Sequence, residues 1–109
     1  GHDILVHPKF MDPCPTVVLE AMACGLPVVG SGSGGMPEIV DDCCGLLIPA
    51  PNDWDFLHTP SGEDLAEAIS KLASGVAHLS VGARRRAEER FSVAPWVDAH
   101  RPIFSNLAQ

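Results

Sequence analysis

The sequence is poor in basic and aromatic residues and contains no tyrosine. Only 7 of its 109 residues are lysine or arginine, against 14 aspartates and glutamates, so the formal net charge is −7. Such an acidic balance excludes nucleic acid or an anionic membrane as the main partner. No apolar run approaches the roughly 18 residues of a membrane span, and no signal peptide is recognisable. We therefore expect a cytoplasmic protein with no membrane span.

Patterns for metal binding and for disulfides are also missing. The cysteines at positions 14, 24, 43 and 44 form no C-x-x-C pair, and the five histidines have no ligand spacing. Adjacent cysteines such as Cys43 and Cys44 do not easily bridge to each other. We expect reduced thiols, no metal site and no cofactor. No internal repeat or low-complexity segment is present.

The residues that are present describe a globular α/β chain, 46% hydrophobic and 19% charged. Short apolar runs predict three strands, and longer periodic segments predict helices between and after them. The predicted strands are Asp3–His7, Pro27–Gly30 and Gly45–Pro49, and the predicted helices are Pro15–Cys24, Ser61–Gly75, Val76–Arg90 and Pro95–Leu107. The pattern predicts a partial doubly wound parallel sheet of about three strands, followed by C-terminal helices.

The C-terminal half contains signals for a helix cap, for buried helix faces and for the surface. Ser61 and Asp64 form a capping box before a stripe of Leu65, Ile69 and Leu72, and Leu79, Ala83 and Ala87 form the inward stripe of the next helix. Arg84, Arg85 and Arg86 cover three directions around that helix. With Glu88 and Glu89 nearby, we interpret them as a solvated face rather than a binding patch. The loop 50–60 carries Trp54 and Phe56, either as a packed surface loop or as a contact for another part of the protein.

The stretch Asp12–Gly25 is the strongest candidate for a functional site. Pro15 suits the first position of a helix, and the following amides of Thr16, Val17 and Val18 then lack partners inside the helix. Such a helix start favours an anion, most often a phosphate. Asp12 and Glu20 stand on either side of the turn. This arrangement suits a ligand with hydroxyl groups on both sides of a diphosphate, as in a sugar nucleotide.

The segment Gly30–Gly35, GSGSGG, matches the dinucleotide pattern G-x-G-x-x-G after a strand. A nicotinamide-binding domain would need a long helix immediately afterwards. Pro37 instead leaves room for only a turn or two of helix before Asp41. We interpret the segment as a glycine loop whose backbone can approach a ligand closely, and keep nicotinamide binding as an alternative.

The motifs DPCPTVVLEAMACGLPVV, SGSGGMPEIV and CCGLLIP occur in this order. In this order they resemble the C-terminal, donor-binding part of a group 1 retaining glycosyltransferase of the GT-B type. The resemblance extends from HDILVHP to RFSVAPWVDAH, nearly the whole chain. It implies a Rossmann-like fold forming half of the second domain, so residues 1–109 would be an incomplete nucleotide-sugar-binding domain. It implies a nucleotide-diphosphate sugar as substrate, without a metal.

The resemblance also assigns roles to single residues. Glu20 would accept hydrogen bonds from the ribose hydroxyls, and Asp12 would act at the sugar as the catalytic residue. Asp12 replaces the usual glutamate, and in this the chain resembles a related group, the trehalose-phosphate synthases. Because the aspartate side chain is shorter, the replacement bears on which sugar is bound. The remaining donor-binding residues implied are Cys14, Thr16, Val17, Gly34 and Gly35. Glu38 matches the family too, either at the donor or as a brace for the loop, and His7 is interpreted as structural.

The resemblance implies a missing N-terminal acceptor domain, without which the chain is expected to be inactive in transfer. At least one sheet edge would be exposed, so we expect either association between copies through that edge or a truncated chain. A different class of function stays open: a non-catalytic binding or assembly module derived from the same fold.

Overall fold

A computed structural model of the protein describes all of residues 1–109. The elements follow in the order β1 (Leu5–His7), α1 (Thr16–Ala23), β2 (Val28–Ser31), α2 (Met36–Ile39), β3 (Gly45–Ile48), α3 (Gly62–Ala73), α4 (Val76–Arg90) and α5 (Val93–Leu107). The sheet has the order β1-β2-β3, and both strand pairs are parallel. The predicted α/β class, the three parallel strands and the C-terminal helices are confirmed.

Neighbouring side chains of β2 show that helices cover both faces of the sheet. Val28 belongs to one buried cluster and Val29 to a second, because successive side chains of a strand point to opposite faces. The doubly wound arrangement is thereby confirmed. Val28 packs with α1, α2 and α4 through Val18, Met22, Met36, Ala83 and Ala87, and Val29 packs with α3 through Ala68 and Leu72.

Helix α1 differs from its prediction at the start and agrees with it at the end. Pro15 is the N-cap, with extended backbone (φ −74°, ψ 103°), and the first helical residue is Thr16. At the other end Gly25 has φ +78°, the left-handed conformation that glycine adopts without a Cβ penalty. Its amide donates to Met22 O, and the amide of Leu26 donates to Ala21 O, both at 2.9 Å. This Schellman motif satisfies the last carbonyls of the helix.

The helices on either side of β3 and at the C-terminus also refine the predictions. α2 is a single turn containing Pro37, so the long helix that a nicotinamide-binding domain requires does not follow Gly35. α5 begins at Val93, two residues before the predicted start at Pro95, and accommodates Pro102 in its interior. Ser61 caps α3 through the predicted capping box with Asp64. None of the helices has the length and hydropathy that crossing a lipid bilayer requires.

The prediction that Arg84, Arg85 and Arg86 form a solvated face is wrong for Arg86. Its guanidinium donates to Ile39 O at 2.6 Å, to Glu38 O at 3.0 Å and to Asp41 at 2.8 Å, and only 16% of the side chain is exposed. It thus fastens α4 to the end of α2, because the last carbonyls of a helix lack partners within the helix. Arg84 donates to Glu88 at 2.7 Å and to the carbonyl of Ala23, and Arg85 is exposed.

Candidate functional site

The candidate site lies where the loops after β1 and β2 meet, at the carboxyl edge of the parallel sheet. Open α/β sheets bind ligands at this edge. Two hydrogen bonds of 2.9 Å join the loops: Gly35 N–H donates to Asp12 O, and Met11 N–H donates to Ser33 Oγ. Ser33 is fully buried and also lies 2.8 Å from Ser31 Oγ. The β2–α2 loop therefore holds the backbone that carries Asp12.

The start of α1 presents two free amides rather than the three predicted. Thr16 and Val17 donate to no backbone or side-chain acceptor. The amide of Val18, by contrast, is bonded to Pro15 O at 3.1 Å, so the expectation that it faces a ligand is wrong. The N-cap proline contributes no N–H and no side-chain cap. The helix start therefore keeps two donors and the positive end of its dipole for an external acceptor.

The glycine pair is required by close packing against the Asp12 loop. Gly34 has φ +62°, and a Cβ there would overlap the backbone of Asp12; a Cβ on Gly35 would overlap Pro13 O. The Gly35 amide is already donated to Asp12, whereas the Gly34 amide has no recorded partner. Both glycines thus lie beside the turn. The structure shows them holding the turn in place, and their contact with a donor stays a prediction.

Asp12 is the most enclosed acidic residue of the chain, with 9% of its surface exposed. Its Oδ2 lies 3.1 Å from Nε2 of His7, the last residue of β1, and 3.7 Å from Nζ of Lys9. Met11, the residue before it, has φ 55°, a left-handed conformation that is unfavourable for a residue with a side chain. The hydrogen bond from its amide to Ser33 holds this turn.

The other candidate residues are exposed. Glu20 is exposed on α1 and makes no hydrogen bond or ion pair, and the same holds for the side chain of Glu38, which therefore does not brace the loop. A cavity of about 260 Å³ beside the turn includes Cys14, Gly35 and Glu38. Neither Asp12 nor Glu20 lines this cavity. The cavity therefore does not bring Asp12 and Glu20 together.

One residue near this cavity, Arg90, was missed by reasoning from the sequence, and the contact of His7 with Asp12 was not predicted. His7 is interpreted from the sequence as structural, and it lies at the end of β1, five residues before Asp12. Arg90, at the end of α4, lines the same cavity as Cys14 and Glu38. No local pattern indicates Arg90, because α4 comes to this cavity only through the tertiary fold. It adds a positive charge near a turn to which, among basic residues, only Lys9 is close in sequence.

Two ionisable groups away from the turn, Cys44 and Asp53, have shifted pKa values. Burial raises the pKa of the Cys44 thiol to about 11, and Asp41 surrounds it with hydrogen bonds. The hydrogen bond from His58 lowers the pKa of Asp53 on the exposed 50–60 loop. Nowhere do three His, Cys, Asp or Glu side chains gather in a way that could hold a metal ion. The absence of a metal from the reaction stays a prediction.

Comparison with known proteins places this chain among glycosyltransferases. The family described as glycosyl transferases group 1 matches residues 1–75. A D-inositol 3-phosphate glycosyltransferase of Saccharomonospora viridis is 39% identical over 106 residues, which is 94% of this chain and 22% of that relative. An alpha-maltose-1-phosphate synthase of Mycolicibacterium smegmatis is 38% identical over 110 residues, which is 96% of this chain and 27% of that relative.

Among solved structures, the sucrose-phosphate synthase of Thermosynechococcus elongatus superimposes on this chain with a TM-score of 0.77 at 27% sequence identity. The superposition covers 96% of this chain and 25% of that structure. The chain therefore spans about a fifth to a quarter of the length of the proteins it matches. The similarity extends over nearly all of the chain.

Proposed function

Because this chain belongs to the group 1 glycosyl transferases, we propose that it is the donor-binding part of a retaining glycosyltransferase. Its parallel sheet and helices match part of a GT-B glycosyltransferase. The proposed donor is a nucleotide-diphosphate sugar, and the proposed reaction transfers its hexosyl group to an acceptor hydroxyl. The names of the relatives include different acceptors, so no particular acceptor is proposed.

The observation that carries the proposal is the start of α1. In the sequence, the free amides of Thr16 and Val17 stand between Asp12, whose carboxylate is enclosed, and Glu20, whose side chain is exposed. The amides are suited to diphosphate oxygens. The two carboxylates accept hydrogen bonds and suit hydroxyl groups. In the proposed complex, Glu20 binds the ribose and Asp12 binds the sugar, with Cys14 and the glycine pair beside them.

In the proposed reaction, the bond between the anomeric carbon and the diphosphate oxygen breaks with its electron pair leaving on the diphosphate. The acceptor oxygen forms the new bond on the same face, and its proton passes to the departing diphosphate. The amides of Thr16 and Val17 stabilise the charge that develops on the diphosphate, because fixed dipoles lower the barrier without reorganising. Asp12 supports the positive charge at the anomeric carbon, and the site holds donor and acceptor together.

The proposed activity requires groups around the donor and the acceptor that these 109 residues do not supply. We propose that an N-terminal acceptor domain and its basic side chains complete the site, so that the 109 residues alone bind nucleotides weakly and do not transfer sugar. A formal charge of −7 and the exposure of Glu20 are consistent with this need. No metal is proposed, because the amides and basic groups would balance the diphosphate charge.

The test compares Glu20→Ala with Glu63→Ala in the chain joined to the N-terminal part of a group 1 relative. Calorimetry with UDP, GDP and ADP measures binding. Loss of a charged hydrogen-bond partner is expected to weaken binding of the accepted nucleotide by about 1–3 kcal/mol. Glu63 is exposed and has no partner, so its variant is expected to bind normally. Unchanged affinity of the Glu20 variant would refute the ribose assignment.

The same titration addresses the second candidate, a non-catalytic binding or assembly module. This candidate is favoured by the cavity beside the turn, which does not include Asp12 or Glu20. No heat with any of the three nucleotides in the joined protein would support the module and contradict donor binding. Heat with one of them would instead support donor binding.

A further inference from the structure

His7 and Asp12 form a partly enclosed hydrogen-bonded pair at the candidate site. Their side chains are 14% and 12% exposed, and His7 Nε2 lies 3.1 Å from Asp12 Oδ2. An ionised carboxylate can only accept hydrogen bonds, so the proton of this bond belongs to Nε2. The contact therefore fixes which nitrogen of His7 is protonated and which oxygen of Asp12 is occupied.

The second oxygen of Asp12 is left for something else. Oδ1 has no hydrogen-bond partner, yet no buried side-chain oxygen in the chain lacks a partner. Oδ1 must therefore reach the surface. One oxygen of this enclosed carboxylate is tied to the protein and the other is open, which is the arrangement needed to present a single acceptor in a fixed direction.

His7 is better suited to hold Asp12 than Lys9, which also lies nearby. Its backbone belongs to β1 and lies opposite Gly30 of β2, and a Cβ on Gly30 would press against the His7 carbonyl. Lys9 lies farther from Asp12, at 3.7 Å, and its side chain is 66% exposed. A long exposed side chain loses rotamer freedom when it is held in one geometry, so such pairs position weakly. His7 reaches the carboxylate from a strand.

We propose that His7 is a positioning residue, which orients Asp12 so that Oδ1 accepts a hydrogen bond from a hydroxyl of the donor sugar. The inference rests on the proposed donor-binding function and adds a specificity role to it. His7 touches Asp12 and not the ligand. Its effect is therefore confined to the sugar and does not extend to the nucleotide, which the α1 amides and Glu20 bind.

The experiment measures binding by NMR titration of the 109-residue chain with three matched pairs of probes: UDP-glucose and UDP, GDP-mannose and GDP, and ADP-glucose and ADP. For the accepted pair, His7→Leu is expected to weaken binding of the nucleotide sugar about threefold to tenfold, as for loss of one hydrogen bond. Binding of the nucleotide alone is expected to stay the same. His78→Leu, on the exposed face of α4, is the matched control and is expected to change neither.

Two further variants separate positioning from folding. His7→Gln keeps an N–H close to the place of Nε2 and is expected to restore sugar binding, whereas the shorter His7→Asn is not. In an Asp12→Ala background, His7→Leu is expected to have no additional effect, because residues that act through one contact are not additive. If His7→Leu does not fold, the glutamine and asparagine variants make the same comparison.

The outcomes distinguish the inference from the function on which it rests. Equal weakening of the sugar nucleotide and the nucleotide by His7→Leu, or no weakening by either His7→Leu or His7→Asn, would overturn the role of His7 alone. An unaffected Asp12→Ala variant would overturn the assignment of Asp12 to the sugar. No binding of any probe would overturn the donor-binding proposal, and the inference would fall with it.

Discussion

Around the turn between β1 and α1, individual residues determine what the backbone can offer to a ligand. Pro15 leaves the next two amides free, and the Gly34–Gly35 pair allows the β2–α2 loop to pack directly on Asp12 and Pro13. A site of this kind depends on backbone positions that few side chains permit. Substitutions at these positions are therefore expected to alter binding and stability together.

Gly34→Ala is expected to lower the free energy of unfolding by about 2–4 kcal/mol, because Gly34 has a left-handed φ of +62° and a Cβ would overlap Asp12. Chemical denaturation measures the change. Gly62→Ala is the control, since no atom lies within 4 Å of its Cβ position and alanine favours the helix it begins. Equal stability of the two variants would show that the Gly34 loop is not packed as described.

Cys44 is expected to make stability depend on pH in the alkaline range. Burial raises its pKa from 9.0 to about 11 in the folded chain, so the unfolded chain releases this proton first as the pH rises. The unfolded state then binds fewer protons, and the free energy of unfolding falls between pH 9 and 11. The part of the unfolding free energy that comes from the raised pKa of Cys44 is fully present below pH 9.

The difference between wild type and Cys44→Ala in urea unfolding, followed from pH 8 to 10.5, isolates this contribution. The advantage of the wild type should shrink as the pH rises. A constant difference across this range would mean that the thiol is not buried in the folded state. The exposed Cys14, Cys24 and Cys43 are present in both proteins and cancel.

Local patterns in the sequence predicted those residues of the site whose role is set by their own neighbourhood. Ser61 caps α3, as predicted from adjacent residues, and Gly25 follows the predicted end of α1 in the left-handed conformation. The bond from Val18 to Pro15 was missed because it spans three residues, and the sequence does not specify whether the first turn tightens into such a 3₁₀-type bond. The pairing of His7 with Asp12 depends on the path of the loop between them, which the spacing does not specify.

Secondary-structure elements are held together by a few polar contacts in addition to the two apolar clusters. Arg86 of α4 satisfies the carbonyls of Glu38 and Ile39 at the end of α2, and Ser80 Oγ of α4 donates to Gly25 O at 2.6 Å, just after α1. Helix α4 thereby fixes the ends of the two helices that begin at the site. This connection was not predictable from the sequence, because a run of three arginines does not show which of them faces another helix.

Arg86→Ala is expected to lower the free energy of unfolding by about 2–4 kcal/mol, because it leaves two carbonyls and Asp41 without their charged donor. Arg86→Lys should lie between wild type and alanine, since an ammonium cannot reproduce the planar fork. Arg85→Ala, on the same helix but exposed, is expected to change little. The prediction fails if thermal or urea unfolding finds the two alanine variants equally stable.

As a whole, the molecule is more extended than a compact chain of its length. The radius of gyration is 15.7 Å, against about 13 Å expected for a globular domain of this size. α5 contributes to this shape, because it buries no residue. The exposed Trp96 and Phe104 stack on the half-buried His100 along it. The strands β1 and β3 each have one unpaired edge, so association between copies through an edge stays a prediction for light scattering.

Removal of α5 is expected to leave the rest of the fold intact. A chain of residues 1–92 should lose less than about 1 kcal/mol of unfolding free energy, because little apolar area is buried by α5. Residues 1–74, which also lack α4, should not fold, since Ala83 and Ala87 belong to the main core. Dispersed NMR spectra and cooperative urea unfolding distinguish the two. Loss of folding in the 1–92 chain would show that α5 is part of the core.

The central claim is that the beginning of α1 binds the diphosphate of a nucleotide sugar. The most direct measurement is the change in backbone amide NMR shifts when UDP, GDP or ADP is added to the 109-residue chain. The largest changes are expected at Thr16 and Val17, whose amides are free, with much smaller changes at Val18 and Gly35, whose amides are already bonded. Changes centred elsewhere, or none with any of the three nucleotides at millimolar concentration, would contradict the claim.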